Sequence, residues 1–417
     1  MSLFGGKPTA KKGDMFYAWT NDQDIAKKAE CGGAVTTLLK YALENKIVDA
    51  VLAVKRGQDV YDAVPTLVTD SKQLKDTAGS LHCGSLLMAK PAVKILERNK
   101  GLKIGMTVKG CDVMALHEYA KRKKIDMNNL LLIGVNCGGT VSPIMARKMI
   151  REKFGVDPDT VHKEEIDKGQ FIIEYEGGHK GIKIDDLEDE GYGRRTNCRR
   201  CVYKVPRQAD LACGNWGVVG DKAGKATFVE VCSDKGADLF SKAMKDNAIS
   251  TQAPDPKGLE MRGKVEGAMI KLGEKWRKRD FDALSKDLWG TIQKETSRCI
   301  KCYSCIENCP ICYCVECSTK KPYLVKPGEV PPNFMFHLIR FAHIADSCIN
   351  CGQCQELCAM DIPNSLHMHA QQVELEKMFG HVPGVDMKLP LLALVEEREE
   401  RDRLAATGSD QIFNIFK

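Results

Sequence analysis

The sequence predicts an α/β domain with a mixed sheet and flanking helices, followed by a small cysteine-rich α+β module and C-terminal helices. Between about residue 14 and residue 250, helical apolar spacing alternates with short apolar runs typical of strands. Eight of the 19 cysteines are scattered through residues 1–290, and eleven crowd between 299 and 358. We therefore expect a tail at 1–13, the α/β domain at 14–255, a helical connector at 256–296, the cysteine-rich module at 297–365 and a helical extension at 366–417.

The elements of the first domain follow from periodicity and from residues that start or break helices. Asp112 and Ser142 are predicted to cap helices, because their side chains can accept hydrogen bonds from free backbone N–H groups. A Gly-Gly turn between two apolar runs indicates a hairpin. In chain order we expect a helix at 34–45, a strand at 48–54, a helix at 86–99, a strand at 103–108, a helix at 113–123, a strand at 130–135, a helix at 143–154, a hairpin of 171–175 and 182–184, a strand at 226–231, a helix at 236–245 and two helices beyond 365.

Composition excludes several classes of protein. The first residues, MSLFGGKPTAKKGD, lack the apolar core of a signal peptide, and no stretch approaches the ~20 apolar residues of a membrane span. We therefore expect a cytoplasmic protein whose thiols bind metal rather than form disulfides. The formal net charge of +6 is small for 417 residues and is spread along the chain, so it does not indicate a nucleic-acid partner.

The strongest signal is a duplicated C-x2-C-x2-C-x3-C motif. The first copy is followed by Pro310, and this spacing is typical of ferredoxin-like modules with two 4Fe-4S clusters. Three thiolates of each motif are expected at one cluster, while the fourth faces the other cluster. Zinc is the alternative, and two complete motifs of identical spacing disfavour it. The predicted ligands are Cys299, Cys302, Cys305 and Cys358 for the first cluster, and Cys348, Cys351, Cys354 and Cys309 for the second.

The segment between the motifs, residues 310–347, is longer than a compact ferredoxin needs. It holds Cys312, Cys314 and Cys317, which either ligate a further centre or pack beside the neighbouring cluster. Three thiols without an evident fourth favour packing, since free cysteine behaves as a small buried hydrophobe.

A third centre is predicted in the α/β domain. Cys198 and Cys201 form a C-x2-C pair between basic residues, and Cys213 follows closely, which favours a metal over a redox pair. The fourth ligand must come from elsewhere. Cys137 is the first choice and Cys111 the second, because both follow predicted strands, where α/β domains place their chemistry. Cys31, Cys83 and Cys232 are expected to be packing residues.

Residues 29–44, AECGGAVTTLLKYALE, place Gly32 and Gly33 before a helix and Thr36 and Thr37 in its first turns. Free N–H groups at a helix N-terminus can bind a pyrophosphate. From the residues alone, however, an ordinary glycine-rich helix start is the favoured interpretation. No G-x-G-x-x-G follows a strand, so a Rossmann-type NAD site is not supported, and no G-x-x-x-x-G-K-[ST] phosphate loop is present.

Four segments together resemble the flavoprotein beta-subunit family of coenzyme F420-dependent hydrogenases and dehydrogenases: CGGAVTTLL, KGCDVMAL, GVNCGGTVSP and NCRRC with ADLACGNWG. The resemblance covers about residues 14–250. It implies an α/β flavoprotein domain that binds FAD. Gly110 stands where the family usually has proline, which leaves the shape of that turn open. By position, the resemblance assigns the cofactor to Gly32, Gly33, Thr36, Thr37, Lys109, Asn136, Gly138 and Thr140, and a cluster to Cys198, Cys201 and Cys213.

The ferredoxin-like module follows the flavoprotein domain, as it does in the formate dehydrogenase beta subunits of this family. The resemblance therefore implies an oxidoreductase subunit that takes electrons from a formate-oxidising partner and reduces coenzyme F420 reversibly by hydride transfer from FAD. The chain shows no formate-oxidising site, so a catalytic partner subunit is expected. The resemblance implies that this partner is a pterin-containing formate dehydrogenase alpha subunit, with heterodisulfide reductase as a further partner. No side chain is expected to act as a catalytic acid or base, because hydride transfer from FAD does not require one. The alternatives are the equivalent subunit of a hydrogenase or membrane dehydrogenase, or a flavin-free electron-wiring subunit.

Overall fold

The computed structural model describes residues 9–314 and 316–388. It divides into two compact units, the first formed by residues up to 113 and by 126–280, the second by 114–125 and residues from 281 onward. The strands are β1 (Met15–Thr20), β2 (Ala50–Arg56), β3 (Ala63–Val68), β4 (Ile104–Val108), β5 (Leu130–Val135), β6 (Val161–Asp167), β7 (Gln170–Tyr175), β8 (Gly178–Lys183), β9 (Leu211–Gly214), β10 (Thr227–Val231) and β11 (Ile249–Gln252).

The helices complete the secondary structure, with a π-helical turn over Ile150–Phe154 and several short 3-10 turns. Among the described residues, no helix combines the length and the apolar character that crossing a membrane requires. The α-helices are α1 (Gln23–Lys28), α2 (Ala34–Glu44), α3 (Ala89–Arg98), α4 (Gly110–Lys121), α5 (Pro143–Met149), α6 (Ile184–Asp189), α7 (Thr196–Arg199), α8 (Asp234–Lys245), α9 (Pro256–Ser285), α10 (Leu288–Thr296), α11 (Ser304–Glu307), α12 (Met335–Ile344), α13 (Gln353–Glu356) and α14 (Asn364–Phe379).

The first unit is built on an eight-stranded mixed sheet in the order β11-β1-β10-β9-β5-β4-β2-β3. Strands β2, β4, β5 and β9 are parallel neighbours, and β10 runs antiparallel to both β9 and β1. The carboxyl ends of β1, β4, β5 and β9 therefore lie along one side of the sheet, which we call the carboxyl edge. Helices α2, α4 and α5 begin beyond this edge, where α/β proteins bind their ligands.

One face of the large sheet is buried beneath α2 and α8. Leu38 and Leu39 of α2 and Leu239 and Phe240 of α8 are almost completely buried in a single apolar core with inward-facing strand residues. The ring centroid of Phe240 lies 5.0 Å from that of Phe16 on β1. This core fixes the start of α2 beside the carboxyl edge.

A second, smaller core lies under the three-stranded antiparallel sheet β6-β7-β8. Phe171 on β7 and Phe154 at the end of the π-helical turn pack edge to face, with ring centroids 6.1 Å apart. Ser142 accepts a hydrogen bond from the backbone N–H of Met145 and so caps α5, as predicted.

The described part of the second unit is helical. Its core gathers Phe336 and Ile339 of α12 around the cysteine motifs. Within residues 281–314 and 316–388 there is no strand, so the predicted α+β character of this module is not found there. The physical reason is local: this stretch is interrupted by Pro310, Pro322, Pro327, Pro331 and Pro332, whose nitrogens cannot donate to a sheet ladder.

Most predicted elements of the first domain are confirmed, with ends shifted by a few residues. Asp112 is an exception. It was expected to cap the next helix, but α4 begins at Gly110 and the Asp112 carboxylate lies inside the first turn. There it accepts hydrogen bonds from the backbone N–H groups of Met88, at 2.6 Å, and Lys109, at 3.0 Å. The second predicted C-terminal helix, in EEREERDRL, lies outside the described residues.

A buried carboxylate organises the second unit. Glu118 is 1 % exposed, and its carboxylate lies 2.5 Å from both the Lys121 ammonium and the Arg122 guanidinium. It also accepts a hydrogen bond from the backbone N–H of Gly384, also at 2.5 Å. The Lys121 ammonium donates to the Asp386 carbonyl, 2.9 Å away. Glu118 thereby ties the segment around Gly384 to α4.

We expect Glu118→Gln to destabilise the second unit by about 3–5 kcal/mol, because it removes the charge of a buried carboxylate that pairs with two buried cations. The matched control is Glu374→Gln, whose partner Lys377 is equally exposed, and there we expect a loss of at most ~1 kcal/mol. Denaturant midpoints followed by circular dichroism measure both. Equal midpoints for the two variants would contradict the role given to Glu118.

Candidate functional site

Two cavities in the second unit are lined by cysteines. The first cavity has a volume of about 340 Å³, counted with the open space at its mouth, and Tyr303 and Phe336 form part of its wall. Cys302 is exposed there, whereas Cys299 and Cys305 are buried. The four cysteines lining it are Cys299, Cys302, Cys305 and Cys358.

The second cavity is similar in size, about 360 Å³ counted in the same way. Its cysteines are Cys309, Cys348, Cys351 and Cys354. Each cavity thus takes three cysteines from one motif and the last cysteine from the other. The two sets that the spacing predicted are brought together; that they ligate clusters stays a prediction.

The two motifs use the same backbone turn. Lys301 and Tyr303 have positive φ angles, of 53° and 62°, and so do Asn350 and Gly352 at the same places in the second motif, 53° and 75°. A one-turn helix follows each turn, α11 in the first motif and α13 in the second. This repeated conformation turns three thiols of each motif toward one cavity. Of the four residues with positive φ, only Gly352 in the second motif is a glycine, the residue that favours this conformation.

Backbone N–H groups and hydroxyls face several of these sulfurs. The N–H of Lys301 lies 3.3 Å from the Cys299 sulfur, and the N–H of Ile362 lies 3.4 Å from the Cys358 sulfur. Hydrogen bonds from Ser304 lower the pKa of Cys302. Such donors favour the thiolate form, which is the form that binds metal.

Cys312 has a defined place beside the second cavity. It packs against the apolar core of the second unit, and its hydrogen bond to Cys309 is the main cause that lowers the pKa of Cys309. Cys317 lies 2.9 Å from the Thr319 hydroxyl, and Cys314 is exposed. Of the three extra thiols, only Cys312 packs against the apolar core, and the exposed Cys314 does not fit the packing alternative.

In the first unit, a third group of cysteines meets at the carboxyl edge: Cys111, Cys137, Cys198 and Cys201. Burial and the neighbouring Cys137 and Cys198 raise the pKa of Cys111, and burial together with Cys198 and Cys201 acts in the same way on Cys137. Cys111 lies in the first turn of α4, Cys137 lies two residues after the end of β5, and Cys198 lies in α7.

Two glycines permit this approach. A Cβ on Gly139 would lie 3.0 Å from the Cβ of Cys198, so only glycine lets α7 come this close to the loop after β5. A Cβ on Gly110 would lie 2.7 Å from the backbone oxygen of Tyr203, two residues after Cys201. Gly110 therefore fits the close packing of this turn.

Cys213 is not part of this group, although the sequence placed it there. It lies on β9 and is fully buried in the apolar core beneath α2 and α8. The thiols that act on it are Cys31 and Cys232, and burial raises its pKa. Instead, Cys111, the second choice for the fourth ligand in the sequence analysis, lies beside Cys137 and Cys198.

The predicted cofactor residues fall into two groups along the carboxyl edge. The first is the start of α2, where Gly33 is the N-cap residue with φ 71° and Gly32 has φ 64°. A Cβ on Gly32 would lie 2.6 Å from the backbone nitrogen of Thr227, so this turn packs directly on β10. Thr36 and Thr37 are buried, and the Thr37 hydroxyl lies 2.6 Å from that of Thr20.

The second group lies at the ends of β4 and β5, beside the third group of cysteines. The Lys109 ammonium pairs with Asp112 at 2.9 Å and donates to the Leu86 carbonyl, also at 2.9 Å. The Thr140 hydroxyl lies 3.8 Å from the Cys198 sulfur. The Oδ1 atom of Asn136 is buried and has no hydrogen-bond partner within the described residues, which leaves an acceptor available at this edge.

Buried cations surround the same loops, and the sequence analysis did not single them out. Arg194 donates to the Gly138 carbonyl at 2.8 Å and pairs with the buried Glu188 at 2.5 Å. Lys204, 2 % exposed, lies 3.3 Å from the Cys198 carbonyl. Although burial opposes it, Arg195, Thr140 and Lys204 lower the pKa of Cys198. The basic run around residues 194–204 was the available signal.

Comparison with known proteins places this architecture in a family. Residues 15–91 match the N-terminal part, and residues 101–257 the C-terminal part, of the coenzyme F420 hydrogenase/dehydrogenase beta subunit. The F420-dependent formate dehydrogenase subunit beta of Methanocaldococcus jannaschii is 49% identical over 381 residues, 90% of this chain and 97% of the relative. The chain belongs to the coenzyme F420 hydrogenase/dehydrogenase beta-subunit family. The resemblance to this family that the sequence indicated is confirmed. The predicted enzyme class, a subunit of an oxidoreductase, is also confirmed.

Other family members match over different lengths. The F420-dependent formate dehydrogenase 1 subunit beta of Methanococcus maripaludis is also 49% identical, over 90% of this chain and 97% of its own length. The coenzyme F420 hydrogenase subunit beta of Methanothermobacter thermautotrophicus is 28% identical over 57% of this chain and 84% of its own. Within the family, the formate dehydrogenase beta subunits thus share nearly the whole length of the chain.

A solved structure shows the same fold. It is a chain of the F420-reducing [NiFe] hydrogenase complex from Methanosarcina barkeri, determined with xenon derivatisation, and it is 22% identical. The TM-score is 0.56, with 67% of this chain and 95% of that chain covered. The mixed α/β architecture predicted for the family is therefore confirmed in its fold.

Proposed function

We propose that this chain is the electron-transfer subunit of an F420-dependent formate dehydrogenase. In this role it takes electrons from a formate-oxidising partner and reduces coenzyme F420 reversibly. The observation that supports it best is the crossed placement of eight cysteines around two cavities in a chain of this family. The 49% identity to two formate dehydrogenase beta subunits over nearly the full length supports the choice of formate.

The residues around the two cavities fit 4Fe-4S clusters. Among the described residues, no three His, Cys, Asp or Glu side chains converge tightly enough to hold a single metal ion. Each cavity instead offers four cysteines, three of them in the C-x2-C-x2-C spacing that 4Fe-4S clusters use. In this proposal Cys299, Cys302, Cys305 and Cys358 hold one cluster, and Cys309, Cys348, Cys351 and Cys354 hold the other.

A third 4Fe-4S cluster is proposed at the carboxyl edge of the first unit. Its ligands in this proposal are Cys111, Cys137, Cys198 and Cys201, which revises the sequence-based set by exchanging Cys213 for Cys111. Arg195 and Lys204 favour the thiolate of Cys198, and Thr140 lies within reach of its sulfur.

FAD is proposed along the same edge. The start of α2 offers free backbone N–H groups and the close-packed Gly32–Gly33 turn to its phosphates. Asn136 offers an acceptor, while Gly138 and Thr140 belong to the loop between β5 and α5. Lys109 acts through its ion pair with Asp112, which fixes the start of α4. When bound, FAD supplies interconversion of hydride and single-electron chemistry, and the clusters supply single-electron transfer.

The partner implied by this function is a pterin-containing formate dehydrogenase alpha subunit, with heterodisulfide reductase as a further assembly partner and a cytoplasmic location. The equivalent subunit of a hydrogenase is the second candidate. It is disfavoured because the hydrogenase relatives match only 57–62% of this chain, whereas the formate dehydrogenase relatives match 90%.

The test is anaerobic purification of the full chain with its natural partner subunits. We expect a flavin absorption spectrum, FAD in the denatured supernatant and F420 reduction that depends on formate. Reduction driven by hydrogen but not by formate would favour the hydrogenase alternative. A preparation that carries its iron but no flavin would favour the alternative of a flavin-free electron-wiring subunit. Fewer than about eight irons per chain would contradict the two-cluster assignment.

A further inference from the structure

Arg340 is a buried cation with no carboxylate partner among the residues that the structure describes. It lies on α12, within the long segment between the two cysteine motifs, and is 2 % exposed. Its Nη2 atom donates to the backbone carbonyl of Cys305 at 3.1 Å. Its Nε and Nη1 atoms are buried and have no hydrogen-bond partner within the described residues. A guanidinium in this position is costly unless negative charge faces it.

The charge of Arg340 acts on cysteines of both cavities. Its neighbour on α12, Ile339, packs in one apolar core with Cys305 of the first cavity and Cys354 of the second. These two thiols, together with Cys309 and Cys312, lie within electrostatic reach of the guanidinium. One cation therefore serves both cysteine sets.

We infer that Arg340 is a shared positioning residue, whose buried guanidinium stabilises the reduced forms of both proposed clusters. This inference rests on the proposed function. A cluster held by four thiolates is anionic and gains one more negative charge when it accepts an electron. A fixed cation therefore favours reduction at both sites, and the guanidinium itself neither gains nor loses a proton.

The same reasoning gives the long segment 310–347 a role. It contains α12, which brings Arg340 against the Cys305 carbonyl, and Cys312, which bonds to Cys309. Two anionic groups in one small unit repel each other as they are reduced, and a cation facing both offsets that repulsion. Both clusters can then be reduced within a similar range of potential.

The test is a redox titration of the full chain, followed by electron paramagnetic resonance of each reduced cluster. For Arg340→Gln we expect unchanged iron content and more negative midpoint potentials for both clusters. At a fixed potential, the reduced-to-oxidised ratio of each should fall about tenfold, equivalent to ~59 mV for one electron. Arg340→Lys keeps the charge and should restore both potentials toward those of the unsubstituted chain.

The matched control is Arg298→Gln, which removes an exposed arginine adjacent to Cys299 and paired with Glu295; solvent screening predicts little change. Potentials that stay fixed in Arg340→Gln, or a shift at only one cluster, would overturn the inference. If Arg340→Gln does not load iron, the test uses Arg340→Lys instead. Midpoint potentials of the two clusters that shift unequally in Arg340→Lys would then count against a shared cation. Absence of both cluster signals in the unsubstituted chain would instead overturn the proposed function.

Discussion

Replacing Cys111 with alanine is expected to remove about four irons per chain, one 4Fe-4S cluster, and to leave the two clusters of the second unit in place. Cys111 stands beside Cys137 and Cys198 at the carboxyl edge, and three thiolates hold a cluster poorly. Iron analysis of anaerobically purified chain gives the loss, and the resonance signals of the reduced protein identify which cluster is missing.

The matched control is Cys213→Ala. Cys213 is fully buried in the apolar core beneath α2 and α8, so its replacement should keep the iron content and cost about 1 kcal/mol of stability. The opposite pattern, iron lost in Cys213→Ala and retained in Cys111→Ala, would restore the ligand set that the sequence alone suggested.

The contrast between these two cysteines shows what limits a sequence-based site. Cys213 is close to Cys198 and Cys201 in the chain, and that proximity favoured it. It lies two residues after Leu211 on β9, and alternation along a strand puts both side chains on the same face, inside the core. The short strand β9 carries no alternating pattern of its own, so this face could not be assigned without its neighbours β5 and β10.

The cluster motifs of the second unit were predictable because their geometry is local. The C-x2-C-x2-C spacing fits one turn, and the same positive φ angles recur at Lys301 and Asn350. The exchange of Cys309 and Cys358 between the two cavities also followed from the motif. By contrast, Arg340 lies on α12 outside both motifs, and its burial beside the cysteines depends on how α12 packs in the core of the second unit.

Several strands were missed for different reasons. β11 has only four residues, β1 is held by antiparallel pairing with β10 and β11, and β3 contains Pro65, which argues against a strand in sequence terms. β3 is tolerated because it is the edge strand, where one backbone nitrogen needs no partner. Tertiary position therefore decided these elements, whereas the longer helices and the central parallel strands were fixed by their own apolar spacing.

Gly32→Ala is expected to lower flavin retention strongly and to destabilise the first unit by about 2–4 kcal/mol. The residue has φ 64°, and its Cβ would lie 2.6 Å from the Thr227 nitrogen and 2.7 Å from Ala226 backbone atoms. Backbone atoms of a central strand cannot yield cheaply, so the turn before α2 must move. In the proposed function that turn faces the FAD phosphates.

The variant Gly155→Ala separates the cost of the positive φ angle from the cost of the backbone clash. Gly155 has nearly the same φ, 61°, but a Cβ there would meet nothing within 4 Å, so only the conformational cost of about 1 kcal/mol applies. Flavin absorbance per chain and the denaturant midpoint are compared for both variants. Flavin content near the unsubstituted level in Gly32→Ala, with a midpoint as low as expected, would remove the start of α2 from the FAD site while keeping its structural role.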